Sequence, residues 1–135
     1  MAQTKKIVLV IEDEQPLLEA IRIKLEKCDF EVVTARTVQQ ALNYLEDIKT
    51  VDAIWLDHYL IGGDSGLDFL VKIKNGDANL KKIPVFVVSN TATSDKVQSY
   101  LQLGIEKYYI KSDYRLDQII EDIKKNLETV NGNVK

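Results

Sequence analysis

Short apolar runs alternate with longer amphipathic segments along almost the whole chain. The runs have the length of buried β-strands and recur at Ile7–Ile11, Val32–Ala35, Ala53–Leu56, Pro84–Val88 and Tyr108–Ile110. The segments between them repeat apolar residues every three or four positions, as one face of an α-helix does. Five strands that alternate with five helices predict a parallel sheet with helices on both faces.

Signals for helix ends agree with this alternation. Pro16 suits a first helical position, and Thr37 and Gln40 have the spacing of a capping box. Ser65 is a second cap signal, and Gly104 suits the end of the fourth helix. The last helix has the clearest apolar stripe, which consists of Leu116, Ile119, Ile120, Ile123, Leu127 and Val130.

The number of strands selects a topology. Of the two common doubly wound sheets, the five-stranded one has the strand order 2-1-3-4-5. We therefore predict an α/β fold of the doubly wound (βα)5 type, with a five-stranded parallel sheet in that order. In this order strands 1 and 3 are neighbours at the switch point, and ligands bind outside the carboxyl ends of strands at such a point.

Polar side chains stand at the carboxyl ends of four predicted strands. They are Glu12 and Asp13 after strand 1, Asp57 after strand 3, Ser89 after strand 4 and Lys111 after strand 5. The topology brings these ends to one edge of the sheet. Two carboxylates about 4 Å apart repel by about 4 kcal/mol at an effective dielectric of about 20. Such a cluster therefore needs a cation or a retained proton.

The residue types at this edge suit phosphoryl chemistry. Mg²⁺ prefers oxygen ligands and completes its shell with water and phosphate. Lys111 adds a positive charge and Ser89 a hydroxyl donor, which can neutralise a phosphoryl group in transfer. A carboxylate such as Asp57 can itself be the nucleophile and form an aspartyl phosphate. Taken singly, each residue also suits a cap, a turn or the surface, so the argument depends on their joint occurrence.

Composition narrows the class of protein. The 135 residues are 45% hydrophobic and carry a net charge of −3, which fits one domain over residues 1–135 with its core at about 5–128. The acidic balance disfavours a nucleic-acid partner. No apolar run reaches the roughly 18 residues of a membrane span. The polar start and the single Cys28 predict a cytoplasmic location.

Five sequence motifs together resemble the response-regulator receiver family, the CheY-like domains. They are Ile-Val-Leu-Val-Ile-Glu-Asp-Glu at 7–14, Asp-Ala-Ile-Trp-Leu-Asp at 52–57, Gly-Gly-Asp-Ser-Gly-Leu at 62–67, Ile-Pro-Val-Phe-Val-Val-Ser at 83–89 and Leu-Gly-Ile-Glu-Lys-Tyr-Tyr-Ile-Lys at 103–111. The resemblance covers nearly the whole chain. It implies a domain of two-component signalling that a sensor histidine kinase or a histidine phosphotransfer protein phosphorylates.

The resemblance also implies a role for each residue at the acidic end of the sheet. Asp57 is similar to the phosphorylated aspartate of the family. Asp13 resembles the direct Mg²⁺ ligand, Glu12 the residue that acts through water, and the main-chain carbonyl of Tyr59 the third protein ligand. The implied chemistry is confined to phosphorylation and dephosphorylation of Asp57 itself, so we expect no enzyme with a separate substrate.

The same resemblance implies a switch and an output surface. Ser89 matches the switch hydroxyl, Lys111 the lysine that contacts the phosphoryl group, and Tyr108 the aromatic switch position. Phosphorylation then changes the face formed by the fourth helix, the fifth strand and the fifth helix. Few residues follow the last helix and the chain starts at Met1, so we expect a stand-alone domain with output by protein–protein contact.

Three positions depart from the family pattern. Ser112 follows Lys111 where most members have proline, and a cis bond before a non-proline residue costs about 2.5–4 kcal/mol, so we expect a trans bond. Asn90 stands where most members have alanine or glycine, and we expect it to slow phosphotransfer from small donors. Ile61 stands where proline is common.

Other functions stay open at this point. A receiver fold that is never phosphorylated and serves only as a binding module is the main alternative. A phosphatase of the haloacid dehalogenase type needs a second acid two residues after the nucleophile, where Tyr59 stands. A flavodoxin-like FMN protein needs a loop rich in Ser, Thr and Gly after strand 1, where Glu12 and Asp13 stand instead.

Overall fold

Strands and helices alternate along the chain as predicted. The structure, a computed structural model, describes residues 5–47, 50–60, 62–91 and 93–132, with side chains up to residue 128. The strands are β1 Ile7–Ile11, β2 Glu31–Ala35, β3 Ala53–Leu56, β4 Val85–Ser89 and β5 Lys107–Ile110. The helices are α1 Gln15–Lys27, α2 Val38–Asp47, α3 Gly66–Lys74, α4 Ala78–Lys81, α5 Ser94–Gln102 and α6 Leu116–Gly132, and a 3-10 turn covers Lys111–Asp113.

The five strands form one parallel sheet in the order β2-β1-β3-β4-β5. This confirms the predicted fold class and strand order. Ile11 and Leu56 are paired in register at the ends of β1 and β3. The residues that follow these strands, Glu12 and Asp57, therefore leave the sheet side by side.

The sheet is covered on both faces, because alternate residues of each strand enter opposite cores. Ile54 and Leu56 of β3 pack in the core that faces α2, α3 and α5. Ala53 and Trp55 pack in the core that faces α1 and α6. All four residues are fully buried. Strands covered on both faces explain the continuous apolar runs in the sequence.

One helix was not predicted. The short α4 lies between α3 and β4, and it makes six helices in the described part of the chain where five were expected. Asp77 caps it, since its side chain accepts a hydrogen bond from the Leu80 N–H at 3.0 Å. A helix of four residues is too short to show a periodic pattern, which is why the sequence did not reveal it.

The predicted caps are mostly confirmed. Ser65 and Asp68 form a reciprocal capping box at the start of α3. Thr37 accepts from the Gln40 N–H at 3.0 Å, but the Gln40 side chain accepts from the Arg36 N–H instead of returning to Thr37. Gly104 has a φ of +88° just after α5, which suits its predicted capping role.

Three predicted positions near the helix ends and loops need a separate statement. Pro16 is the second residue of α1 and not the first. Ile61 and the side chain of Val130 lie outside the described residues. Within the described ranges, no helix combines the length and the apolar character that crossing a membrane requires.

Candidate functional site

Three acidic side chains meet at the carboxyl edge of the sheet. Glu12, Asp13 and Asp57 each place a carboxylate oxygen within 4.8 Å of the others. Glu12 is 1% exposed and Asp57 is 4% exposed, whereas Asp13 is half-buried. The switch-point topology therefore brings together the acidic residues that the sequence places at the ends of strands 1 and 3.

Glu12 is held in the sheet edge by its main chain. Its N–H donates to the Ala35 carbonyl at 3.0 Å, which extends the ladder between β1 and β2 by one residue. Its carboxylate accepts from the Glu14 N–H at 3.1 Å and from the Lys111 Nζ at 3.1 Å. Burial raises the pKa of Glu12, and the Lys111 charge offsets part of that rise.

Asp57 is held in the same way on the neighbouring strand. Its N–H donates to the Ile11 carbonyl at 3.0 Å. Its Oδ1 accepts from the His58 N–H at 2.8 Å, and its Oδ2 lies 3.7 Å from the Lys111 Nζ. Burial, followed by the nearby Glu12 charge, raises the pKa of Asp57 to about 7.

The donor set suits a divalent cation. Three carboxylates face one ammonium group, since in the described ranges the ion pairs to this cluster come from Lys111. The side chains supply only oxygen ligands, which is the preference of Mg²⁺ and not of softer metals. The cluster therefore has the ligand type and the excess negative charge that suit a site for a hard divalent cation. The ligand role of the Tyr59 carbonyl stays a prediction.

Ser89 and Lys111 close the other side of this edge. Ser89 is the last residue of β4, is fully buried, and pairs in register with Ile110, the residue before Lys111. The Thr91 N–H donates to the Ser89 Oγ at 3.5 Å. No cis peptide bond occurs in the described chain, so the Lys111–Ser112 bond is trans as expected.

Tyr108 and Tyr59 are connected to the loop after β4. The Tyr108 hydroxyl donates to the Thr91 carbonyl at 2.5 Å. Lys96, in the first turn of α5, donates to the Tyr59 hydroxyl at 3.0 Å and to the Thr91 Oγ1 at 2.7 Å. Its Nζ also lies 4.6 Å from the centre of the Tyr59 ring. Lys96 was not predicted, because it stands among ordinary polar helix residues.

Three further residues near Asp57 were not predicted from the sequence, namely His58, Tyr100 and Gly66. The ring of His58 shares a hydrogen bond with the Tyr100 hydroxyl, Nδ1 to oxygen, at 2.7 Å. Gly66 donates its N–H to the His58 carbonyl at 2.8 Å. A Cβ at Gly66 would lie 2.4 Å from the Asp57 carbonyl oxygen. Position 66 therefore requires glycine, because two chain segments approach closely there.

Asn90 is one of the residues that line a cavity next to Lys111. The cavity, of about 390 Å³, opens between α1 and α6, and Lys111, Trp55 and Asn90 are among its lining residues. Asn90 itself is exposed. Its predicted effect on access to Asp57 remains a prediction.

The fold and the acidic cluster define an α/β domain of the CheY-like class, and comparisons identify its family. Residues 8–124 match the response regulator receiver domain, so the chain belongs to that family. It is 29% identical over 106 residues to the phosphate regulon transcriptional regulatory protein PhoB of Pseudomonas aeruginosa, a match covering 78% of this chain and 45% of that protein. It is 31% identical over 131 residues to the heme response regulator HssR of Staphylococcus saprophyticus, covering 93% and 53%.

A solved structure gives the same result. The phosphorylated cyanobacterial phytochrome response regulator RcpA superposes with a TM-score of 0.78 at 28% identity, covering 97% of this chain and 98% of that chain. The chain spans about half the length of PhoB and HssR, the curated relatives described above. The match with the family and with these relatives therefore establishes that this chain is a receiver domain of two-component response regulators.

Proposed function

We propose that this domain is a phosphoacceptor receiver in which Asp57 takes a phosphoryl group from a sensor histidine kinase or a histidine phosphotransfer protein. The observation that carries the proposal is the Asp57 carboxylate, buried beside two other acids and 3.7 Å from the Lys111 ammonium group. The similarity to RcpA, whose solved form is phosphorylated, supports it.

Asp13, Asp57 and the main-chain carbonyl of Tyr59 would hold the metal in this proposal, and Glu12 would act through water. A bound Mg²⁺ supplies charge neutralisation for the carboxylates and for the incoming phosphoryl oxygens. Within the protein, the His58 N–H orients the Asp57 carboxylate by its hydrogen bond to Oδ1. The buried position of Asp57 limits the access of water.

Asp57 acts as the nucleophile. One carboxylate oxygen forms a bond to phosphorus while the bond from phosphorus to the donor histidine nitrogen breaks, and the donor keeps that electron pair. Lys111 then exchanges its contacts with Glu12 and Asp57 for the new phosphoryl oxygens. The domain acts on no separate substrate, because hydrolysis of the same Asp57 acyl phosphate ends the cycle.

Ser89 and Tyr108 would report the modification. The Ser89 hydroxyl can donate to a phosphoryl oxygen, and a Ser89 side chain that turns toward that oxygen would lengthen its 3.5 Å contact with the Thr91 N–H. Thr91 also accepts from Tyr108, so movement of this loop changes the position of the Tyr108 ring. The result is a shift between two populations at the face formed by α5, β5 and α6. Leu101 of α5 is an exposed apolar residue on that helix and suits contact with a downstream protein.

Intact mass measured after incubation with acetyl phosphate and Mg²⁺ tests the proposal. We expect wild type to gain one phosphoryl group, Asp57→Asn to gain none, and Asp64→Asn to behave as wild type. Asp64 is a suitable control because it is exposed and paired with Lys72 away from the cluster. If wild type gains no mass with acetyl phosphate or with phosphorylated histidine donors, the binding-module alternative replaces this proposal.

A further inference from the structure

The hydroxyl of Tyr100 is positioned by a residue adjacent to Asp57. Tyr100 is the one residue of α5 that is fully buried. Its hydroxyl lies 2.7 Å from the Nδ1 of His58, the residue that follows Asp57. The hydroxyl of a buried tyrosine needs a hydrogen-bond partner, because leaving it unsatisfied costs free energy. The position of the His58 ring is therefore coupled to the packing of α5.

The main chain of His58 connects the same ring to the acceptor carboxylate. The His58 N–H donates to the Asp57 Oδ1 at 2.8 Å, and the His58 carbonyl accepts from the Gly66 N–H at 2.8 Å. The hydrogen bond to Oδ1 requires a particular orientation of the peptide between Asp57 and His58. Tyr100 and Gly66 hold the side chain and the carbonyl of His58, so together they restrict that orientation.

We infer that Tyr100 is a positioning residue for Asp57: through its hydrogen bond to His58, it keeps the His58 N–H directed at the acceptor carboxylate. The inference rests on the proposed function for its consequence in phosphoryl transfer, but the geometry that it describes exists without phosphorylation. Tyr100 also packs 5.7 Å from Tyr108, ring centre to ring centre, so it contacts both the acceptor loop and the predicted switch residue.

Tyr109 provides a matched control for removing the Tyr100 hydroxyl. It is also a fully buried tyrosine, and its hydroxyl donates to the Asp122 Oδ2 at the same distance of 2.7 Å. It packs in the core on the opposite face of the sheet. Tyr100→Phe and Tyr109→Phe therefore make the same chemical change at similar burial, but only the first change touches His58.

Hydrogen exchange of the metal-free protein tests the geometry directly. We expect Tyr100→Phe to speed the exchange of the His58 N–H about fivefold, the size of one lost neutral hydrogen bond, relative to the Glu12 N–H. Tyr109→Phe should leave that ratio unchanged. An equal rise at both amides would assign Tyr100 to fold stability alone and would overturn the inference.

Phosphorylation by acetyl phosphate tests the consequence. The initial rate should fall about threefold to tenfold in Tyr100→Phe and in His58→Leu, and the double variant should fall no further, because the two residues act as a pair. His58→Leu removes the bond from its other end, so the test holds if one variant folds poorly. Equal rates in Tyr100→Phe and Tyr109→Phe would defeat the inference, whereas the absence of phosphorylation in wild type would defeat the proposed function instead.

Discussion

The two halves of the sheet edge are held by different kinds of contact. At the ends of β1 and β3, main-chain hydrogen bonds extend the sheet ladder to Glu12 and Asp57, and both side chains are buried. At the ends of β4 and β5, side chains make most of the contacts. Thr91 there accepts from the half-buried Lys96 and from Tyr108.

In the proposed function, this difference separates Asp57, which accepts the phosphoryl group, from Tyr108, which responds to it. The main-chain position of Asp57 follows from strand order and register, and the direction of its carboxylate depends in addition on the His58 N–H. The contacts of Thr91, Lys96 and Tyr108 are hydrogen bonds on the protein surface, which are individually weak and can be exchanged for others. In the proposed function, a phosphoryl group on Asp57 would therefore shift the populations of these surface contacts at small cost in free energy.

The largest effect on stability should come from a substitution at Gly66, where α3 approaches the loop after β3. Alanine there would place its Cβ 2.4 Å from the Asp57 carbonyl oxygen and 3.1 Å from the His58 Cα. We expect the free energy of unfolding in urea to fall by about 2–3 kcal/mol, because main chain must move.

Gly76 offers the matched change. A Cβ there would meet the flexible end of Leu80, with Cδ1 at 2.9 Å, so that side chain can turn away. Gly76→Ala should change the free energy of unfolding by less than about 1 kcal/mol. Equal losses in the two variants would mean that the approach of α3 to the acceptor loop is not the tight contact described above.

A second, opposite effect is expected at Asp57. Asp57→Asn removes one of three crowded carboxylates while keeping the size of the side chain. In metal-free buffer above pH 7, we expect it to raise the free energy of unfolding by about 1–2 kcal/mol, since the ionised Asp57 is buried and repelled by Glu12. The sign follows from the raised pKa, because folding then disfavours the ionised form that exists above about 7.

Urea unfolding with and without Mg²⁺ measures this effect. Added Mg²⁺ should stabilise wild type more than Asp57→Asn, which narrows the difference. Asp64→Asn should match wild type in both buffers, since Asp64 is exposed. A loss of stability in metal-free Asp57→Asn would mean that Lys111 compensates the cluster fully.

The same division explains what could be predicted from the sequence. Strand runs, strand order and the carboxylates at strand ends depend on local pattern and on topology, so the sheet and the cluster of Glu12, Asp13 and Asp57 followed from them. Lys111 was predicted for the same reason. Its 3.1 Å contact with Glu12, shorter than its 3.7 Å approach to Asp57, was not foreseen.

Contacts between distant side chains could not be derived in this way. His58 and Tyr100 are 42 positions apart, and their hydrogen bond depends on how α5 turns its buried face. Lys96 and Tyr59 are 37 positions apart and meet above the sheet edge. Neither pair follows a period of the sequence, so only the packed structure shows them. The short helix α4 was not predicted either. Its cap at Asp77 is a local signal, but four residues are too few to show a helical period.

Among the side-chain contacts near the end of β4, Lys96→Met should have a smaller effect than the changes above. It removes the hydrogen bonds to Tyr59 and Thr91 that connect the loops after β3 and β4. We expect these loops to restrict the access of water to Asp57. Hydrolysis of the phosphoryl group should therefore become about threefold faster in Lys96→Met, which corresponds to the free energy of one charged contact at the surface.

The decay of the phosphorylated protein, followed by intact mass after removal of the donor, measures that rate. Lys72→Met is the matched control, because Lys72 is an exposed lysine paired with Asp64. Lys96→Arg should keep most of the wild-type lifetime, since it retains a charged donor. An unchanged lifetime in Lys96→Met would show that the bridge between the loops does not protect the acyl phosphate.

The smallest effect is expected at Asn90, which lies directly after β4 and lines the cavity next to Lys111. Asn90→Ala clears space beside the cluster without touching a ligand, so phosphorylation by acetyl phosphate should become about twofold faster, as a modest change in access allows. The free energy of unfolding should stay the same, because the Asn90 side chain is exposed. Asn79→Ala, the same change at an exposed position of α4, is the control. Equal phosphorylation rates in wild type and Asn90→Ala would mean that the Asn90 side chain does not limit access to Asp57.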